Sequence, residues 1–174
     1  MGVPGSESSI IAGAAGQSGA GSSFYDYQIS QSLRIDSQTD YLDGPNGSEG
    51  AGEKFTVSAW VKRAETGRYM VIVGGSAGNW SLTFNASDQI HIASHSQVTT
   101  TGVFRDTTGW YHIVAGNGTS SGTGFIYVNG VNQALGTNTW TSNSGMFRSG
   151  HSLQIGQSND GGYAYNFNGL IAEV

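Results

Sequence analysis

The chain has 174 residues, enough for one domain with a full core and an appendage. Its 7 basic and 12 acidic residues give a formal charge of -5, which argues against nucleic acid or an anionic membrane surface, since both call for clustered Lys and Arg. Twenty-eight glycines, two prolines, 11% charged residues and no cysteine exclude a disulfide framework, a thiolate metal site and a cysteine nucleophile, and favour turns and strand surfaces over helices.

Met1 to Ser23 is rich in Gly, Ser and Ala. Such a segment buries too little apolar surface to offset its ordering entropy, so residues 1–30 are expected to form a flexible arm. Its apolar run, Ile10-Ile11-Ala12, has no basic residue before it, which is unlike a signal peptide. No stretch approaches the roughly 20 apolar residues that span a bilayer. The aromatic cluster Phe24, Tyr25 and Tyr27 closes the arm. Two readings stand: the rings fold back on the domain, or they anchor a partner protein.

From Gln31 onward, period-2 patterns recur. Ser32 to Asp36 alternates Leu33 and Ile35 with polar neighbours. Phe55 to Arg63 is the clearest case: Phe55, Val57, Ala59 and Val61 share one face, and Thr56, Ser58, Trp60 and Lys62 the other. Tyr69–Gly75, Trp80–Asn85, Gln89–Ser94, Trp110–Gly116, Gly124–Gly130, Ser152–Gly156 and Asn166–Val174 continue the series. GPNGSEGAGE, GGSAGN, NGTSSGTG and SNDGGY read as turn clusters between them. Asn129-Gly130 between two apolar runs predicts a type I′ hairpin. About ten short strands without a helical stripe indicate an all-β sandwich or barrel.

The ordered set FTVSAWVKR, WYHIVAG, IYVNG, LQIG and FNGLIAEV resembles the laminin-G-like branch of the concanavalin-like lectin/glucanase superfamily. Trp110 and His112, Tyr127 to Gly130, and Phe167, Gly169, Ile171, Glu173 and Val174 carry the resemblance, over residues 31–174. It implies an all-β, two-sheet antiparallel jelly-roll sandwich behind the 1–30 arm. The family's last strand continues past Glu-Val, so a longer natural chain is expected. The arm, FYDYQISQSLRID and VFRDTTGWYHIV resemble N-terminal parts of structural proteins of marine tailed phages. That resemblance implies a virion component, either a tail fibre or a capsid surface protein.

Glycosidases on this fold use Glu-x-Asp-x-x-Glu on one strand, a spacing that aims acid and nucleophile at the same face. The sequence contains no such triplet. Asp36, Asp40 and Asp43 come nearest and read as turn and cap residues. Gly118-Thr119-Ser120-Ser121-Gly122 matches a nucleophile elbow but lacks the strand-turn-helix context. His91 and His95 lie too far apart along a strand to share a metal, and His112 reads as a hydrogen-bonded core or edge residue. The family resemblance brings in a calcium-holding rim loop, to which Asn159 and Asp160 could contribute; a plain turn is the preferred reading there. No other cofactor and no metal site are expected. The sequons at Asn46, Asn79, Asn85 and Asn117 are expected by chance in this composition.

Sugar recognition on a β-sandwich uses exposed rings together with loop Asn and Asp. The candidates are Trp80, Trp140, Asn159, Asp160, Tyr163 and Tyr165, each of which could instead pack the core or an oligomer interface. The main functional expectation is a non-catalytic virion module docking through Phe24, Tyr25 and Tyr27 to other virion proteins or sister subunits of a homo-oligomer. The alternative is a carbohydrate-binding module for host-surface glycans, and a glycoside hydrolase is disfavoured.

Overall fold

The computed structural model describes residues 31–174 except 38, 47–54, 77–79, 94–96, 118–123, 140–150 and 161–162. Fifteen strands and no helix occur among the described residues. They form two antiparallel sheets and a two-stranded ribbon.

The six-stranded sheet runs β1 (Leu33–Ile35), β15 (Gly169–Ala172), β3 (Phe55–Arg63), β8 (Tyr111–Asn117), β9 (Gly124–Val128) and β10 (Val131–Asn132). The seven-stranded sheet runs β11 (Leu135–Thr139), β7 (Gln97–Thr100), β6 (Ile90–Ala93), β5 (Ser81–Phe84), β4 (Met70–Gly75), β12 (Ser152–Ile155) and β2 (Leu42–Asn46). The ribbon pairs β13 (Gln157–Asp160) with β14 (Tyr163–Asn166).

The core lies between the two large sheets. Val57, Ala59 and Val61 of β3, Ile113 and Ala115 of β8, and Ile126 and Val128 of β9 meet Met70, Ile72, Leu82, Phe84, Ile90, Ile92 and Val98 of the other sheet. Strict alternation places them there, because a pleated strand sends every second side chain to the same face. Burying each Val or Ile removes apolar surface worth about 1.5–3 kcal/mol.

Continuing that alternation by one step places Arg63 inside, with its side chain wholly buried. Its Nη2 donates to Asp88 Oδ1 at 2.8 Å and its Nη1 donates to the Phe104 carbonyl. The guanidinium carbon sits 4.2 Å from the centre of the Phe84 ring. Asp88 also accepts from Gly67 N at 2.7 Å and Arg105 Nε at 2.9 Å. This cluster ties β3 to the β5–β6 turn and to the 101–110 loop.

Asn129 and Gly130 have φ of 51° and 78°, and Val128 pairs with Val131 across them. Both central residues therefore have the left-handed conformation of a type I′ turn.

Several elements differ from the sequence reading. SNDGGY, read as a turn cluster, supplies the end of β13 and the start of β14. Gly44, Pro45 and Asn46, also read as turn, belong to β2. That strand lies at a sheet edge, where the missing proline N–H leaves no ladder bond unmade. The expected final strand Asn166–Val174 divides into β14 and β15. At the break Phe167 is buried in the core and its N–H donates to the Gly156 carbonyl at 2.8 Å. β7 and β11 gave no pattern because their residues are mostly polar.

Candidate functional site

β4 is buried along its whole length. The core covers one face, and the β13–β14 ribbon lies against the strand. Gly74 permits the close approach: a Cβ there would stand 2.6 Å from the Ser158 Cβ. Ser158 Oγ donates to the Gly75 carbonyl at 3.2 Å, and Asn166 Nδ2 donates to Gln157 Oε1 at 3.4 Å. At Gly74 and Gly75 the ribbon thus docks through a small, polar contact.

At the start of β4, Met70 points into the core, so its neighbour Tyr69 turns outward and is 43% exposed. The Tyr165 ring lies 5.5 Å from it, tilted by 50°, within the range in which aromatic pairs attract. Arg68 braces the two sides. Its Nη2 donates to the Asn166 carbonyl at 3.3 Å, and its Nε reaches the Tyr69 carbonyl at 3.5 Å. Its Nη1 pairs with Glu65 Oε1 at 2.9 Å, and the same Glu65 oxygen accepts from Asn168 Nδ2 at 2.9 Å.

The ribbon brings together four of the sequence-derived candidates. Asp160 pairs with Tyr163, Asn159 with Ala164, and Ser158 with Tyr165. Residues spread over seven positions of sequence become neighbours on one short hairpin. Trp80 belongs elsewhere: it is 3% exposed and packs 5.7 Å from Phe55 in the core, so it offers no face to a ligand. Trp140, the docking residues Phe24, Tyr25 and Tyr27, the whole arm 1–30, His95 and the Gly118–Gly122 motif lie outside the described residues.

Tyr69 and Arg68 were not singled out from the sequence. Tyr69 opens a run of apolar residues, and only the alternation set by Met70 marks it as outward. A second aromatic surface also emerges on the outer face of the six-stranded sheet. Trp60 stacks on its cross-strand partner His112 at 4.8 Å, and His112 Nε2 lies 3.1 Å from Ser58 Oγ. Phe125 and Tyr127 meet edge to face at 6.0 Å nearby.

The three acids nearest to the glycosidase pattern and the buried Asp88 have structural partners. Asp36 pairs with Arg34 at 2.8 Å. Asp40 accepts from Asp36 N at 3.3 Å, and hydrogen bonds from Ser37 and then Asp36 hold its carboxyl below the ordinary range. Asp43, read as a turn residue, sits instead in β2 and accepts from Ser152 Oγ at 2.5 Å. Burial, the largest influence on Asp88, pushes its carboxyl up, but Gly67 N–H, Arg63 and Arg105 together hold it below the ordinary value. Burial also lowers the His91 imidazole and so favours its neutral form. Among the described residues no three His, Cys, Asp or Glu side chains group as a metal site.

Residues 36–174 match the sequence profile of the concanavalin A-like lectin/glucanases superfamily. No functionally curated protein matches the chain. Solved structures of other proteins share the fold. One is a protein of Bacteroides ovatus ATCC 8483 inferred to bind carbohydrate, with a TM-score of 0.60 and 21% identity over 78% of this chain. This chain spans only 40% of that protein's length. Another is domain 4 of the GH43 extracellular arabinanase AbnA from Geobacillus stearothermophilus in complex with arabinotriose: TM-score 0.58, 20% identity, 84% of this chain and 70% of that one. A third is the CBM40 of the Ruminococcus gnavus IT-sialidase bound to α2,3-sialyllactose: TM-score 0.56, 11% identity, 83% of this chain and 88% of that one.

Proposed function

Because the chain belongs to the concanavalin A-like lectin/glucanase superfamily, we propose that it is a non-catalytic carbohydrate-binding domain whose ligand lies against the β13–β14 ribbon. The observation that carries this is the ribbon itself. It places Asn159, Asp160, Tyr163 and Tyr165 on one hairpin, where the Tyr165 ring meets the exposed Tyr69 ring. Rings that stack on the apolar faces of sugars, next to amides and carboxylates that accept and donate hydroxyl hydrogen bonds, are the chemistry glycan recognition requires. The structural neighbours that bind carbohydrate support the same reading at the level of fold.

Isothermal titration calorimetry against a panel of oligosaccharides tests it, with Tyr69→Ala as the variant. Removing an exposed ring should weaken a bound glycan by about 1–3 kcal/mol, roughly ten- to a hundredfold, without unfolding the sandwich. An unchanged affinity in Tyr69→Ala would place the site elsewhere. The surface of a virion is the proposed setting, resting on the phage resemblance of residues 1–30 and Val103 to Val114. Mass spectrometry of purified particles tests that separately.

A further inference from the structure

We propose that Asn129 is a site of spontaneous covalent modification, at which the exposed β9–β10 turn deamidates through a succinimide formed with Gly130. Asparagine is a thermolabile residue. Asn-Gly occurs at Asn46, Asn117, Asn129 and Asn168. A glycine in the second place leaves its peptide nitrogen open to the preceding side-chain amide, because no Cβ stands in the way. Gly47 and Gly118 lie outside the described residues, so the structure sorts the other two pairs.

At the turn, Asn129 and Gly130 are both exposed. A Cβ added to Gly130 would meet nothing within 4 Å, and the Gly130 N–H makes no hydrogen bond among the described residues. His112 N donates to Asn129 Oδ1 at 2.8 Å. Negative charge develops on that oxygen when a nucleophile adds to Cγ, so the donor stabilises the tetrahedral intermediate. Nδ2, the group that leaves, has no acceptor among the described residues. Asn168 is the opposite case. Its Nδ2 donates to Glu65 Oε1 at 2.9 Å. Gly169 is buried and so close to β3 that an added Cβ would collide with the Lys62 carbonyl oxygen.

Water takes the proton of the Gly130 N–H as its nitrogen bonds to Asn129 Cγ. The Cγ–Nδ2 bond breaks, and the amine accepts a proton and leaves as ammonia. Water then opens the cyclic imide at either carbonyl, giving aspartate or isoaspartate at position 129. One water is consumed, one ammonia is released, and nothing is oxidised or reduced. Isoaspartate carries the main chain through Cγ. That adds a carbon to a two-residue turn whose flanking residues, Val128 and Val131, pair with each other. Among the described residues β10 pairs with β9 alone, so the modification loosens this edge of the six-stranded sheet.

The test holds purified protein at pH 8 and 37 °C and maps its peptides by mass spectrometry with isoaspartyl methyltransferase labelling. The same protein unfolded in guanidinium chloride is the reference. In the native protein, position 129 should be modified about tenfold faster than position 168, or more, whereas in the unfolded chain the two rates should be similar. Gly130→Ala places a Cβ beside the attacking nitrogen and should slow the reaction at position 129 severalfold while leaving position 168 unchanged. No modification at position 129 in the native protein, a ratio of the two sites that unfolding does not change, or an undiminished rate in Gly130→Ala would overturn the proposal.

Discussion

Replacing Asp88 by Ala tests the buried cluster around Arg63. The Asp88 carboxylate accepts three hydrogen bonds, from Arg63 Nη2, Arg105 Nε and Gly67 N. Without it, the wholly buried Arg63 keeps the Phe104 carbonyl, the Phe84 ring face and a 3.6 Å contact to Met70 Sδ. Nε has no partner even in the wild type. Breaking a buried pair by removing one member costs about 3–5 kcal/mol, because the remaining charge is stranded. Asp88 also has φ of 63°, a conformation that Asp and Asn tolerate and Ala resists by a further 1–2 kcal/mol or so. Asp88→Asn avoids that second cost and isolates the charge. In a domain of this size each kcal/mol shifts the melting temperature by about 2–4 °C, so Asp88→Asn should melt about 6–20 °C below wild type. Adding Arg63→Met to Asp88→Asn removes the stranded cation, and the double-mutant cycle should return a coupling of about 1–3 kcal/mol. The pH dependence has a definite sign. The folded Asp88 carboxyl titrates below its ordinary value of 3.8, so its contribution is present at neutral pH and is lost as pH falls from about 4 through the lowered folded value. Thermal melts of wild type should therefore fall more steeply with acid than those of Asp88→Asn. Equal melting temperatures for wild type and Asp88→Asn at pH 7 would refute the reasoning.

Val57→Asp places an unpaired carboxylate at a position 6% exposed between the sheets; the penalty of several kcal/mol is comparable to the whole stability of a domain, and circular dichroism should show an unfolded chain. Gly74→Val drives a side chain into Ser158 and should lower stability by about 1–3 kcal/mol while abolishing glycan binding, with Ser158→Gly restoring part of both. Wild-type protein incubated with laminarin or agar should release no reducing sugar, since the sequence has no Glu-x-Asp-x-x-Glu triplet; turnover that disappears on mutating one Asp or Glu would reverse the non-catalytic assignment.

The two-sheet sandwich was legible in the sequence because its signal is local. Phe55 to Arg63 alternates at period 2, and no rearrangement elsewhere can turn Val57, Ala59 and Val61 to different faces. The Asn129-Gly130 turn was legible for the same reason, since its backbone angles depend on those two residues. Candidate ligand residues could be named by type, but not sorted. Trp80 and Tyr165 look alike in sequence, yet one fills the core and the other meets Tyr69 on the ribbon. What separates them is the docking of β13–β14 against β4. That docking sets Gly74 and Gly75 against Ser158 and the Gln157 backbone, small and polar groups with no hydrophobic period to betray it. Arg63 and Asp88 were hidden likewise: 25 positions apart, they acquire meaning only when the sheets close and remove both from water. Alternation along one strand decides which way a side chain points. Which partner it finds is decided by contacts between distant segments, and those exist only in the folded chain.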